Sequence, residues 1–251
     1  MRQVPLFPRP ASPAGPSVPG LLVRPEYVSQ DEERALVAHI EQGPWQPDFK
    51  RRIQQYGLGY GARPESGTDP GPASDEDPSP EISWVRDFPP WLAALAQRIT
   101  ADAFLPRVPE NCVINDYAPG VGIGPHRDYP PFGSVIAAVS LLSDVVIDFA
   151  RLPRGHDSDD DSDGGDSDSG GSGRIPVYVP ARSLWVASGE ARWRWTHGIA
   201  PRLSDRVEGE RRRRGRRLSL TFRIARDPTL LDRARRIAGI GSAAAGLGPT
   251  P

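Results

Sequence analysis

The stretch "GIGPHRDYPPFG", residues 122–133, sets an imidazole and a carboxylate two positions apart between glycine- and proline-rich flanks. In extended backbone, residues two apart project to the same face. His126 and Asp128 then lean into one space, and Arg127 points away. Such a pair is commonly an ordinary hydrogen-bonded couple. It becomes two thirds of a metal site if one more histidine joins it.

The surroundings of that stretch read as strands. "CVINDYAPG", "SVIAAVSLL", "VVIDFARL", "PVYVPARSLWVAS", "ARWRWTHGI" and "RLSLTFRIA" are short, β-branched or aromatic, and divided by turn residues. Upstream, "LLVRPEYV" suits a short strand, and "SQDEERALVAHIEQG" reads as a helix. Ser29 and Glu32 form a capping box, Leu36, Val37 and Ile40 an apolar stripe, and Gly43 a stop. "PPWLAALAQRITADAF" predicts a second helix running to about residue 104. Two helices followed by many short strands predict a mainly β fold with flanking helices, an antiparallel sandwich or barrel.

The chain has 251 residues, 37% of them hydrophobic, with 26 Gly and 29 Pro. That composition predicts a folded core with disordered attachments. The expected organisation is a Pro-rich arm over 1–19, one domain over 20–226 and a tail over 227–251, which carries a short helix in "PTLLDRARRIAGI". Within the domain, 62–80 is expected to be a mobile loop and 155–173 an acidic, solvated insert. Asp159, Asp161, Asp163 and Gly164 imitate the opening of a calcium loop, but Gly170 stands where the bidentate Glu belongs. His156 at the edge of the insert is expected to be solvated.

Net charge is −1, so overall charge excludes no partner class. Lys50 is the only lysine; with so much Ala, Gly and Pro, G+C-rich coding is the expected source of the Arg content, which therefore does not by itself point to nucleic acid. Cys112 is the only cysteine, which excludes an internal disulfide and a cysteine-based zinc site. No apolar run reaches membrane-spanning length, and the start lacks the apolar core of a signal peptide. A cytoplasmic or nuclear monomer without membrane contact is expected.

Two further clusters bear on the His-Asp pair. In "ARWRWTHGIA", alternation sets Trp193, Trp195 and His197 on one strand face. His126, Asp128 and His197 together supply two imidazoles and one carboxylate. On octahedral iron that set leaves three positions open; a hydrolytic zinc site uses the same ligands. In "RRLSLTFR", alternation places Arg217, Ser219, Thr221 and Arg223 on one face and Leu218, Leu220 and Phe222 on the other. Either the arginines point outward while the leucines fill the core, or they point inward and need anionic partners, of which a dicarboxylate offers two. Asn115 and Tyr117 alternate onto one face of "VINDYAPG" and offer an amide and a hydroxyl.

With these segments in this order, the chain resembles the AlkB-like Fe(II)/2-oxoglutarate-dependent dioxygenases. "INDYAPGVGIGPHRD", "SLWVASGEARWRWTHGI" and "RRLSLTFR" carry the likeness, which spans about 20–226. "PDFKRRIQQYGLGYG" is similar to the substrate-side segment of the branch near the tRNA wobble-uridine hydroxylases. The resemblance implies a double-stranded β-helix (jelly-roll) and His126, Asp128 and His197 as iron ligands. It implies Arg223 on the far carboxylate of 2-oxoglutarate, with Asn115, Tyr117, Ser219 and Arg217 around the co-substrate and Arg217 near the metal-bound carboxylate. Ser219 stands where many demethylase members carry Asn, which loosens the transfer of a DNA-repair substrate. The implied chemistry uses O2 to convert 2-oxoglutarate to succinate and CO2 while hydroxylating a C–H bond; on an N-methyl group formaldehyde is lost.

The expected substrate is a modified base in RNA, tRNA or alkylated DNA, taken out of its stack. Arg51, Arg52 and Tyr56 are expected to wall the base side. Arg206 and Arg211–Arg214 are expected to form a phosphate-binding edge. A protein or small-molecule oxygenase, or a catalytically dead binding domain, are the alternatives on the same fold.

Overall fold

The computed structural model describes residues 17–46, 51–60, 82–153 and 173–239. The Pro-rich arm through residue 16, the loop 62–80, the insert over 154–172 with its His156 and aspartates, and the chain end from residue 240 lie outside the described residues.

Elements follow in the order β1 (Leu21–Arg24), α1 (Gln30–Glu41), β2 (Arg52–Tyr60), β3 (Ile82–Trp84), α2 (Pro90–Ala101), β4 (Asn111–Tyr117), β5 (Ile123–His126), β6 (Phe132–Leu141) and β7 (Val145–Arg151). They continue with β8 (Ile175–Val179), β9 (Ser183–Ser188), α3 (Gly189–Trp193), β10 (Trp195–Ile199), β11 (Ser204–Val207), β12 (Glu210–Arg213), β13 (Arg217–Ala225) and α4 (Pro228–Ile237). All strand pairs are antiparallel. A seven-stranded sheet runs β1-β9-β6-β13-β4-β2-β3, a four-stranded sheet β5-β10-β7-β8, and β11 and β12 form a separate hairpin.

β13 shows how the sequence makes the layers. Leu218, Leu220 and Phe222 are fully buried under α1 and α2, joined by Ile40, Leu92 and Ile99. Each such side chain contributes about 1.5–3 kcal/mol by leaving water. The alternate residues face the space between the sheets, where Ala138 and Trp185 of the large sheet meet Ile147, Phe149 and Ile199 of the small one. The α1 capping box forms as read, Ser29 N–H donating to Glu32 and Glu32 N–H to Ser29 Oγ.

Several boundaries differ from the sequence reading. α2 ends at Ala101, three residues early, where Ala103 adopts a left-handed φ of 61°. "PVYVPARSLWVAS" divides into β8 and β9 at Arg182, which has φ 59°. "ARWRWTHGI" is not one strand: its first half is the helix α3, so Trp193 does not alternate with Trp195 and His197. The packed unit extends past residue 226, because Ala234 of α4 is buried against Leu58 and Ala225. At the other end, Val18 of the expected arm is also buried.

Candidate active site

β5 and β10 bring the two histidines together. Their backbones approach so closely that a Cβ on Gly122 would lie 2.1 Å from the Ile199 carbonyl oxygen, and one on Gly198 2.9 Å from Pro125 N. Only glycine fits at Gly122. In the resulting register His126 is directly opposite His197, so both rings project to one face with centroids 4.5 Å apart. Asp128 follows two residues beyond β5, buried, with Oδ2 3.5 Å from His197 Nε2. Phe149 and Trp185 pack around the His197 ring.

The electrostatics leave Asp128 and His197 in donor form. Burial alone would raise the Asp128 carboxyl, but Arg223, His197, His126 and Arg192 hold it well below the usual carboxylate range. Burial lowers His197 to about 4, against the opposing pull of Asp128, so its ring is neutral at pH 7 with a lone pair free. The His126 Nδ1 lies 2.9 Å from the Gly124 carbonyl oxygen, which leaves Nε2 as the ring nitrogen outside that contact. No three His, Cys, Asp or Glu side chains among the described residues are already closed to metal-binding spacing. The trio is gathered pairwise, two imidazoles with an ionised carboxylate, a donor set that suits a divalent iron.

These residues line a cavity of about 320 Å3 between the sheets, with Arg217, Ser219, Thr221 and Arg223 along one wall and Asn115 and Tyr117 beside them. The two arginines sit at opposite ends of β13, and Arg217 is not the one that reaches Asp128. Arg223 is the one at Asp128: its Nε donates to Oδ1 at 2.6 Å, its Nη2 lies 2.5 Å from the same oxygen, and its Nη1 reaches Asn111 Oδ1 at 3.1 Å. Arg217 is at the far end, opposite Tyr117 in the β13–β4 register. The reason is strand polarity: β13 runs antiparallel to β4, so its last residues lie at the Asn111 end, toward Asp128.

Arg217 is 3% exposed, with Nε on Ser140 Oγ at 2.8 Å, Nη2 3.4 Å from Ser219 Oγ, and the guanidinium 5.4 Å from the Tyr117 ring centre. Among the described residues no carboxylate pairs with it. Burial lowers it to about 10, despite the favourable Tyr117. A buried guanidinium held only by hydroxyls is costly unless an anion joins it. This is the structural fit for the far carboxylate of a dicarboxylate.

The base-side trio divides. Arg51 lines the cavity, donates to Asn115 Oδ1 at 2.8 Å and lies over Tyr117. Arg52 points to the opposite face, where it bonds Asp116 and stacks on Trp45. Tyr56 is buried in the helix-side core against Phe88, its hydroxyl donating to Gln54. Arg52 and Tyr56 therefore do not wall this cavity, because alternation along β2 turns them away from Gln55, which does. Of the expected phosphate edge, Arg206, Arg211, Arg212 and Arg213 are exposed, but Arg214 is buried and bidentate to Asp205 at 2.7 Å.

Arg192 is a residue that sequence reasoning misses. From α3 its guanidinium donates to four backbone carbonyls, those of Asp128, Tyr129, Phe132 and Gly133, and lies 4.0 Å from the Trp193 ring centre. It fastens the loop bearing Asp128 to the element that leads into His197. No local signal announces this, since all four acceptors are main-chain atoms some sixty positions away.

Comparisons with known proteins identify the family. A model of the "2OG-Fe(II) oxygenase superfamily" matches residues 20–223. The chain belongs to that superfamily. It is an oxidoreductase of the dioxygenase type, and Fe(II), 2-oxoglutarate and O2 are the family's cofactor and co-substrates. An uncharacterised mimivirus protein, L905, is 28% identical over 81% of this chain and 84% of its own. The Arabidopsis thaliana "alkylated DNA repair protein ALKBH8 homolog" is 30% identical over 84% of this chain and 60% of its own length. The mouse "tRNA (carboxymethyluridine(34)-5-O)-methyltransferase ALKBH8" is 29% identical over 83% of this chain, which spans 31% of that protein. The named relatives among these are ALKBH8 proteins, whose likeness to this chain is thus of the AlkB type. The solved structure of OsALKBH1 superposes with a TM-score of 0.53 over 82% of this chain and 98% of its own at 15% identity, a likeness of fold that identifies the two-sheet sandwich as the family's jelly-roll. No helix among the described residues is long and apolar enough to cross a membrane.

Proposed function

We propose that this oxygenase hydroxylates or oxidatively demethylates modified bases in nucleic acid. The observation that carries the reading is the likeness over more than four fifths of the chain to proteins whose names specify tRNA or alkylated DNA. The cavity supports it, because Arg51 adds a cation at its wall beside Asn115 and Tyr117.

In this reading His126, Asp128 and His197 hold the iron. Bound there, Fe(II) supplies O2 activation coupled to decarboxylation of 2-oxoglutarate. The chain's own residues do the rest. Arg217 pairs with the far carboxylate of the co-substrate, with Tyr117, Asn115 and Ser219 around it. Arg223 keeps Asp128 ionised and fixes its orientation through a two-nitrogen contact. Burial keeps His197 neutral, so its nitrogen is a ligand and not a proton donor.

The test is incubation with Fe(II), 2-oxoglutarate, tRNA and a panel of methylated oligonucleotides, followed by nucleoside mass spectrometry. The expected result is loss of one modified nucleoside, or gain of a hydroxylated one, in step with succinate. Succinate formation stimulated only by a protein or small molecule would replace the nucleic-acid reading with the alternative oxygenase.

A further inference from the structure

The outer face of the four-stranded sheet carries a groove that begins at the catalytic cavity. Arg51 lines both the cavity and a neighbouring hollow of about 650 Å3, bounded by Gly120–Pro125 and by Asp148 and Arg174. Asp148 and Arg174 in turn line a third hollow, of about 680 Å3, whose far wall is Arg202, Arg206 and Arg211. The three spaces thus share residues in sequence and form one path from the cavity to the β11–β12 hairpin.

The hairpin presents its charge from a fixed base. Asp205 accepts both forks of Arg214, the Arg202 Nε at 2.7 Å and the Val146 N–H at 3.0 Å, which anchors β11 to β7. On that base Arg206 and Arg211 stand directly opposite each other across the two strands. Like charges in that position destabilise a sheet pair. Arg211 reaches only the Ser204 hydroxyl, at 2.9 Å, and among the described residues no carboxylate pairs with Arg206 or Arg211. Arg212, by contrast, is engaged with Tyr178 and Asp144. Asp148 is the one acidic side chain in the groove floor shared by the two outer hollows.

We propose that this groove is the track for the phosphodiester backbone of a single-stranded nucleic acid, with Arg206 and Arg211 as its phosphate contacts and Arg51 at the entry to the cavity. The proposal rests on the nucleic-acid reading above and assigns it a surface. A guanidinium fork matches a phosphate, and a linear polyanion meets cations spaced along one groove. An acidic protein segment is the other polyanion, and the experiment separates the two.

The probe is a fluorescein-labelled single-stranded RNA of about twenty nucleotides, titrated by anisotropy against the full chain over a range of salt. Arg206→Gln/Arg211→Gln should weaken binding about tenfold and make the slope of log Kd against log salt shallower by about 1.4, some 0.7 for each phosphate no longer neutralised. Arg206→Lys/Arg211→Lys should keep the slope, which rules out misfolding as the cause. Substrate-free conversion of 2-oxoglutarate to succinate should be unchanged in both, since neither residue touches the cavity. An unchanged slope in the Gln variant would overturn the groove while leaving the nucleic-acid reading intact. Absence of binding by the unaltered chain to this RNA and to a single-stranded DNA of the same length would overturn both. Displacement of the RNA by poly-aspartate at equal charge concentration would overturn the groove in favour of an acidic protein partner.

Discussion

Arg223 holds Asp128 by one carboxylate oxygen, through Nε at 2.6 Å and Nη2 at 2.5 Å, while leaving Oδ2 facing His197 Nε2. The charge partner and the metal-facing atom of the same carboxylate are thereby separated. The two arginines of β13 should behave differently when shortened to lysine. Arg223→Lys keeps charge but loses the fork, so Mn(II) affinity should fall about 10- to 100-fold. Arg217→Lys should instead weaken 2-oxoglutarate by about 2–3 kcal/mol, roughly 30- to 150-fold, with Mn(II) binding retained. Anaerobic titration of each ligand into each variant measures both, and the opposite pattern would restore the roles that the family resemblance implies.

Replacing His126, Asp128 or His197 by Ala should abolish succinate formation and leave a folded protein. Circular dichroism and a succinate assay with added Fe(II) and 2-oxoglutarate check this. Full turnover by any of the three would remove that residue from the ligand set.

Arg192 touches none of the reacting groups, but its four carbonyl contacts set the path of the Asp128 loop. Arg192→Met should lower Co(II) affinity about 10- to 100-fold and shift the visible Co(II) spectrum. A variant that is merely less stable would bind Co(II) with an unaltered spectrum once folded.

Arg52→Gln should change turnover less than about twofold and stability by less than about 1 kcal/mol, because Arg52 is half exposed, faces away from the cavity, and its Asp116 partner keeps Arg216. Arg51→Gln, one residue earlier, should raise the KM for an oligonucleotide substrate. Equal effects from the two would contradict the β2 register.

Asp205 sets a pH dependence of the fold. Burial alone would raise its carboxyl, but Arg214, the Val146 N–H and Arg202 hold it below its ordinary value. A lowered carboxylate stabilises the protein above the ordinary range, and that contribution is lost as pH falls through the lowered value. Asp205→Asn should remove this acid sensitivity and, by stranding buried Arg214, cost about 3–5 kcal/mol at neutral pH. Chemical unfolding of both proteins at several pH values measures it.

Much of this is legible in the sequence because β13 is a half-polar, half-apolar strand: alternation alone separates Leu218, Leu220 and Phe222 from Arg217, Ser219, Thr221 and Arg223. What alternation cannot supply is polarity relative to another strand, so which arginine meets Asp128 stays hidden. The same rule, applied strictly to "RRIQQY", denies that Arg51 and Arg52 share a face and sets Tyr56 with Arg52. Trp193 escapes alternation because the five residues of α3 are too few to display a helical period. Asn111 is within reach, two and four positions before Val113 and Asn115 on the same face, and it is the residue that braces Arg223.

If Arg217 seats the far carboxylate, as proposed above, it also ties the lifetime of the protein to its co-substrate. A guanidinium buried among hydroxyls raises the energy of the empty fold, and a dicarboxylate seated against it favours the native state by RT ln(1 + [L]/Kd). At about a hundred times Kd that amounts to about 2.7 kcal/mol, roughly a hundredfold fewer unfolded chains exposed to proteases. A cell short of 2-oxoglutarate would then hold less of this enzyme as well as running it more slowly, with no signalling step between the metabolite and the loss.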